Sequence, residues 1–241
     1  MAFQPIINIK ENTVFGYEAL VRGLNGEPAA DILSKLVDEN RYTFDQAIRV
    51  KAIQLASSLN LTGMLSINFL PNAVYNPQTC IRATLEAANT LGFPTEKIMF
   101  EVTEAEKVTD HEHLKGIFKE YKKHNFTTAI DDFGAGYAGL NLLADWQPDI
   151  IKLDMGLVRD IDKDKVRQAL VSAMISACKG LNIDVIAEGI ETADEFKTLL
   201  QMNVSLFQGY LFAKPEFEAL PVLTDEVQEM ISATVKSTQV D

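Results

Sequence analysis

The sequence predicts an α/β protein, a TIM-like (β/α)8 barrel in which one strand runs antiparallel to the others. Three observations predict it. Roughly eight β-rich runs alternate with helical stretches along the chain, the pattern of a parallel α/β sheet. The 241 residues contain no linker-like break, and an α/β barrel uses about 250 residues as one unit. The chain opens on two β-rich runs, residues 3–9 and 14–21, separated only by Lys10-Glu11-Asn12-Thr13. That hairpin leaves no room for a helix, so one strand must run against the rest. The expected layout is one barrel domain over residues 1–231 and a flexible tail over 232–241.

Each further element follows from local pattern. Residues 28–39 and 43–59 read as helices, and 64–70 as an apolar strand interrupted by Asn68 and stopped by Pro71. Asn is disfavoured within strands. Residues 78–91 read as a helix and 97–104 as a strand with an acidic far end. The next helix starts at a capping box, Thr109 with Glu112, and places Leu114, Ile117, Phe118 and Tyr121 at helical spacing. His111, His113 and His124 lie on or beside its polar side and are expected to be solvated, not to bind metal. Residues 126–130 form a strand that delivers Asp131 and Asp132 to a turn containing Gly134 and Gly136, residues free to adopt conformations a Cβ forbids. Residues 149–154 form the next strand, where Lys152 and Asp154 are two apart and point the same way. A lysine in an apolar strand is costly to bury without a charge partner. The helix over 163–180 sets Val166, Ala169, Leu170, Ala173, Met174 and Ala177 on one face, which is expected to pack on the sheet. Residues 182–189 are an apolar strand ending in Glu188, Thr192 with Glu195 caps the helix after it, and residues 205–212 form the last strand before a final helix.

Composition narrows the function. A net charge of −12 disfavours long nucleic acids, whose affinity comes from lysine and arginine neutralising phosphates. No run approaches the roughly 18 apolar residues needed to span a bilayer, and no secretory signal is evident. Cys80 and Cys178 show no metal or redox spacing. A cytoplasmic protein with reduced thiols is expected.

Acids dominate the strand ends. Catalytic groups of such barrels sit at the C-terminal ends of different strands, the place of Glu101, Asp131, Asp132, Lys152 and Glu188, with Glu18 and Asn68 as further candidates. Two carboxylates 4 Å apart repel by about 4 kcal/mol at an effective dielectric near 20, so converging acids call for cations. The candidate ligands are hard oxygens without His or Cys, which favours Mg²⁺ or Mn²⁺ over zinc. A pair of such ions activates water and offsets charge on a phosphoryl group, and Lys152 and Arg22 add positive charge. Metal-dependent phosphoester hydrolysis follows from the residues, with an aldolase-like or lyase barrel enzyme as the alternative.

The ordered blocks resemble a known family. Gln4-Pro5-Ile6, Glu18-Ala19-Leu20-Val21-Arg22, Asn68, Glu101-Val102-Thr103-Glu104, Asp131-Asp132-Phe133-Gly134, Lys152-Leu153-Asp154, Glu188-Gly189-Ile190-Glu191-Thr192 and Gln208-Gly209-Tyr210 are similar in order to the EAL domains, phosphodiesterases of cyclic di-GMP. The resemblance implies a barrel with one antiparallel strand and hydrolysis of one phosphodiester bond to linear 5′-pGpG. It implies Glu18, Asn68, Glu101 and Asp131 as ligands of one metal, Asp132 holding a second, Lys152 beside the nucleophilic water and Glu188 as general base or a further metal-associated carboxylate. Arg22, Gln208, Gln4 and Asp154 would contact the ligand, while Glu104 anchors the loop after the paired aspartates and Glu191 supports the rim. It also implies a homodimer through residues 137–146, a segment whose apolar side chains could equally be barrel core, and a sensory domain where such a chain is an excised fragment. Ala135, Ala138 and Gly139 stand where many members carry hydroxyls, and Gly23 where a bulky aromatic often follows the arginine. A catalytically silent cyclic di-GMP receptor or protein-interaction domain is the competing expectation.

Overall fold

The computed structural model describes residues 1–103, 111–136 and 143–238. Eight strands close a barrel: β1 (Ala2–Asn8), β2 (Thr13–Leu20), β3 (Met64–Asn68), β4 (Ile98–Thr103), β5 (Thr127–Phe133), β6 (Ile150–Leu153), β7 (Asp184–Ala187) and β8 (Leu206–Phe207). They are bonded in chain order, and β8 returns to β1. From β2 to β8 every pairing is parallel. β1 runs antiparallel to both of its neighbours, as the opening hairpin requires. Because β8 covers only Ile7 and Asn8 of β1, a ninth strand, β9 (Glu216–Phe217), bonds Ala2 and Phe3 outside the closed circuit.

Around the barrel lie α1 (Ala29–Leu33), α2 (Asp38–Ser58), α3 (Pro77–Cys80), α4 (Arg82–Leu91), α5 (His111–Lys123), α6 (Met155–Val158), α7 (Lys165–Gly180), α8 (Ala193–Gln201) and α9 (Asp225–Thr238). Both faces of the strands are covered, which explains their nearly continuous apolar runs. Phe3, Leu65, Ile67, Phe100, Val102, Ile130, Ile151, Leu153 and Phe207 belong to the large core outside the barrel wall. A second, separate cluster of Ile6, Met99, Ala129, Ile150, Ile186 and Leu206, with Phe15 and Met64 packed against it, draws on all eight strands. It is the floor of the barrel interior.

Strand periodicity then places the site. Two residues on from the floor, on the same face of each strand, stand Ser66 after Met64, Glu101 after Met99, Asp131 after Ala129, Lys152 after Ile150, Glu188 after Ile186 and Gln208 after Leu206. On the reversed strand, Gln4 lies two before Ile6. The layer above the apolar floor is therefore polar.

Three sequence expectations are revised. The face of α7 expected to pack on the sheet is turned outward: Val166 and Leu170 are exposed, while Val171 and Cys178 are buried. Met174 alone of the predicted set packs against the core. Both sides of this helix carry apolar residues, so its periodicity holds no polar stripe to orient it. The expected strand end at residue 130 moves to Phe133, so the paired aspartates belong to the strand itself. Helix α9 runs on to Thr238, because Val227, Met230, Ile231 and Val235 make an apolar stripe packed on the core. Of the segment expected to pair copies of the chain, residues 137–142 lie outside the described residues. Leu143 is buried, and Trp146 stacks on Phe118 with ring centroids 3.6 Å apart, so this part serves the core. The capping residue Thr109 also lies outside the described residues.

Candidate active site

Lys152 is the centre of the polar layer. Its side chain is fully buried, and its ammonium lies 2.7 Å from Glu188 Oε1, 2.9 Å from Glu101 Oε2, 3.1 Å from Asp131 Oδ1 and 3.3 Å from Glu18 Oε2. β6 carries it into the barrel next to Glu101 from β4, Asp131 from β5 and the residue that follows β7. Burial works against its charge, but Asp131, Glu101, Glu18 and Glu188 outweigh that and raise its pKa well above the ordinary lysine value.

Amides hold the Glu18 carboxylate. Asn68, at the end of β3, donates from Nδ2 to Glu18 Oε1 at 3.0 Å. Gln208 donates from Nε2 to Glu18 Oε2 at 2.7 Å and to Gln4 Oε1 at 3.3 Å. Gln4 in turn donates to the Ala213 carbonyl. Asn68 and Glu101 are direct partners across β3 and β4.

A bulge sets the paired aspartates. Between Ile130 and Phe133 β5 gains one residue relative to β6, and Asp132 takes a left-handed φ of 53°. Adjacent residues of a regular strand point to opposite faces, but a bulge re-aims one of them. Asp131 and Asp132 can thus each place an oxygen within 4.8 Å of one from Glu188. The Asp132 amide donates to Asp131 Oδ1 at 3.0 Å. Gly189, with φ 65°, turns the chain after Glu188 where an added Cβ would come 2.5 Å from Met155 Cβ.

The electrostatics are those of too many acids. Burial, then the neighbouring carboxylates against Lys152, raise the pKa of Glu101 to about 8. Burial, then Asp131 and Asp154, raise that of Asp132 to about 6. Burial also pushes Glu188 well above the usual carboxylate range, with Lys152 opposing. One ammonium does not balance these groups.

Divalent cations fit the residues present. Glu18, Glu101 and Asp131 each offer one oxygen within 4.8 Å of the others, and so do Asp131, Asp132 and Glu188. Asp131 is common to both groups, which suits two ions sharing a ligand. Among the described residues Glu101 Oε1 is buried without a hydrogen bond, an acceptor whose burial calls for a partner. Every donor is a hard oxygen.

Above the acids opens a cleft of about 240 Å³ lined by Gln4, Glu18, Asp132, Glu188, Gln208 and, on the rim, Glu191 and Tyr210. Met155, Gly189 and Gly209 complete the lining. Met155 escaped the sequence reading, and Tyr210 entered it only within the Gln208-Gly209-Tyr210 block and without a role, because an exposed apolar or aromatic side chain has no local signature of a binding cleft. Glu191 makes an ion pair with Arg159 at 2.6 Å. Asp154 caps α6, accepting from Gly156 N at 2.8 Å. Arg22 donates to the Val21 carbonyl and is not among the cleft residues. Glu104 lies outside the described residues. His113 contacts the Val74 carbonyl and His124 faces Glu120 at 3.5 Å, both away from the acids.

Comparison with known proteins decides the family. Residues 1–215 match the EAL domain. The chain belongs to the EAL domain family. A standalone EAL protein from Vibrio cholerae, solved in its c-di-GMP bound form, is 56% identical with a TM-score of 0.91, covering 94% of this chain and 96% of its own. BlrP1 of Klebsiella pneumoniae, solved as a manganese and cy-diGMP complex, is 36% identical with a TM-score of 0.85, over 90% of this chain and 56% of its own. Among curated EAL relatives, the blue light- and temperature-regulated antirepressor BluF of Escherichia coli is 34% identical over 91% of this chain and 55% of its own length. The cyclic di-GMP phosphodiesterase PdeR of the same organism is 33% identical over 88% of this chain and 33% of its length. The chain thus spans about half or less of the curated relatives it matches. Cyclic di-GMP appears in the name of PdeR and in both solved complexes. Among the described residues no helix is long and apolar enough to cross a membrane.

Proposed function

We propose that this EAL domain hydrolyses one phosphodiester bond of cyclic di-GMP to linear 5′-pGpG, using two Mg²⁺ or Mn²⁺ ions. The observation that carries the proposal is the pair of overlapping carboxylate groups, Glu18, Glu101 and Asp131 beside Asp131, Asp132 and Glu188, at the base of one cleft. The manganese and cy-diGMP complex of BlrP1 and the name of PdeR support it.

Glu18, Asn68, Glu101 and Asp131 would hold one ion, and Asp131 and Asp132 the other. Bound divalent ions supply Lewis-acid stabilisation of the phosphoryl charge and lower the pKa of water. Lys152 keeps its four carboxylates converged and meets the attacking water at the cleft base. Glu188, at the cleft wall, takes the proton of that water as general base. Gln4 and Gln208, which line the cleft, would orient the dinucleotide, and Arg22 and Asp154 would reach it from beyond that lining, with Glu191 steadying the rim. The water oxygen bonds to phosphorus in line with the leaving 3′ oxygen, which departs, takes a proton from solvent to become the ribose hydroxyl, and leaves a 5′-phosphate.

The antirepressor relative favours a second reading, a cyclic di-GMP receptor or protein-contacting domain without turnover. Chromatography of nucleotides after incubation with cyclic di-GMP and Mg²⁺ or Mn²⁺ separates the two. Hydrolysis predicts pGpG that vanishes with a chelator and in Glu188→Gln; the receptor predicts binding and no product.

A further inference from the structure

Behind the barrel wall, between α2, α5 and the ends of β3 and β4, lies a fully buried ion pair. Asp45 and Arg49, one turn apart on α2, meet at 2.6 Å with neither side chain exposed. Arg49 donates to the Tyr121 hydroxyl at 2.6 Å. Its guanidinium sits 5.3 Å from the ring centroid of Phe69, 5.1 Å from Phe100 and 5.8 Å from Tyr121. Asp45 Oδ1 accepts the Leu70 amide at 2.9 Å.

Each residue of the barrel wall that this network grips lies within two positions of a candidate ligand of the cation site. Phe69 and Leu70 follow Asn68, and Phe100 precedes Glu101. The Phe69 amide donates to the Glu101 carbonyl at 3.0 Å, continuing the Asn68 to Glu101 pairing past the end of β3. A buried ion pair adds little net stability over an apolar pair of the same size, so stability alone does not account for it. What the charges add is direction. The carboxylate fixes the Leu70 amide just past the end of β3, and the guanidinium fixes one ring just past β3 and one on β4.

We propose that Asp45, Arg49 and Tyr121 are positioning residues of the cation site: by clamping residues 69, 70 and 100 from behind the wall, they set the placement of Asn68 and Glu101. The inference rests on the metal-dependent reading of the acids given above. Groups supporting metal ligands from outside typically govern about 10- to 100-fold in metal affinity.

The test is Mn²⁺ titration of the metal-stripped full chain, following loss of the free-ion signal by electron paramagnetic resonance, with circular dichroism and thermal melting on the same samples. Asp45→Leu/Arg49→Met replaces the pair by an apolar one and removes the acceptor for Leu70. Asp45→Asn/Arg49→Met keeps that acceptor, and Tyr121→Phe removes one hydroxyl and serves if the doubles fail to fold. The expected result is folded variants whose Mn²⁺ affinity falls about tenfold for the Leu/Met pair, with part recovered by Asn/Met and a smaller loss in Tyr121→Phe. Melting temperature would not rank them in the same order. Wild-type affinity in the folded variants overturns the positioning role while leaving the metal reading intact. No Mn²⁺ binding by the wild type overturns the metal reading, and the positioning role with it.

Discussion

Lys152 holds four carboxylates with one ammonium, and its removal isolates buried acids. Lys152→Met is expected to destabilise the metal-free protein by about 3 to 5 kcal/mol, the usual result of breaking a buried charge network from one side. Thermal melting in chelator checks this; an unchanged melting temperature would mean the acids are neutral without their lysine. At this scale much of the site was legible. Glu101, Asp131, Lys152 and Glu188 each stand two residues beyond a floor residue, so period-two alternation puts them above the apolar floor, and Glu18 lies within the second β-rich run. That Lys152 lies under the acids, bonded to all four, was not legible, because a lysine in a strand looks the same whether it meets a ligand or its own neighbours. Nor was the turn in Asp132: an aspartate before Phe-Gly reads as a loop residue, whereas its positive φ makes a bulge within β5.

At the scale of elements, the loops that carry Glu188 and Asp154 are tied by one buried carboxylate. Glu195, at the start of α8, accepts the amides of Asp160, Glu191 and Thr192 at 2.9, 3.1 and 3.0 Å. Burial acts to raise its pKa, but these three amides outweigh it and hold the carboxyl below its ordinary 4.5. A lowered folded pKa adds stability that is present above the unfolded value and lost as the pH falls through the folded one. Glu195→Gln is therefore expected to cost about 1.5 kcal/mol at pH 7, a gap that narrows as the pH drops below 4.5. Melting curves of both proteins across that range decide it; a gap independent of pH would assign the loss to shape instead of charge. The capping box itself, Thr192 with Glu195, was legible as a helix start, but its grip on Asp160 joins segments 35 residues apart and leaves no local trace. The outward face of α7 was misread for a related reason: a helix apolar on both sides takes its orientation from the fold, not from its own period.

The whole molecule is strongly acidic, and five of its 34 acidic residues are gathered where cations fit. Saturating Mn²⁺ at about 100 times its dissociation constant should stabilise the chain by about 2.7 kcal/mol, which at this size raises the melting temperature by roughly 5 to 10 °C. The increment should vanish in Asp131→Asn, which strips the carboxylate common to both groups; an equal rise in that variant would place the ions elsewhere. The barrel was legible as a whole because alternation and the opening hairpin constrain topology more tightly than any one element. β9, two residues long, was not, since so short a strand exists only because β8 leaves part of β1 uncovered.

In the proposed reaction the acid cluster directs water onto a phosphodiester. Mass spectrometry of the product formed from cyclic di-GMP in ¹⁸O-water with Mn²⁺ decides whether it does. The predicted result is linear pGpG carrying one ¹⁸O on its 5′-phosphate. Intact cyclic di-GMP despite saturable binding, or product without the label, would contradict it.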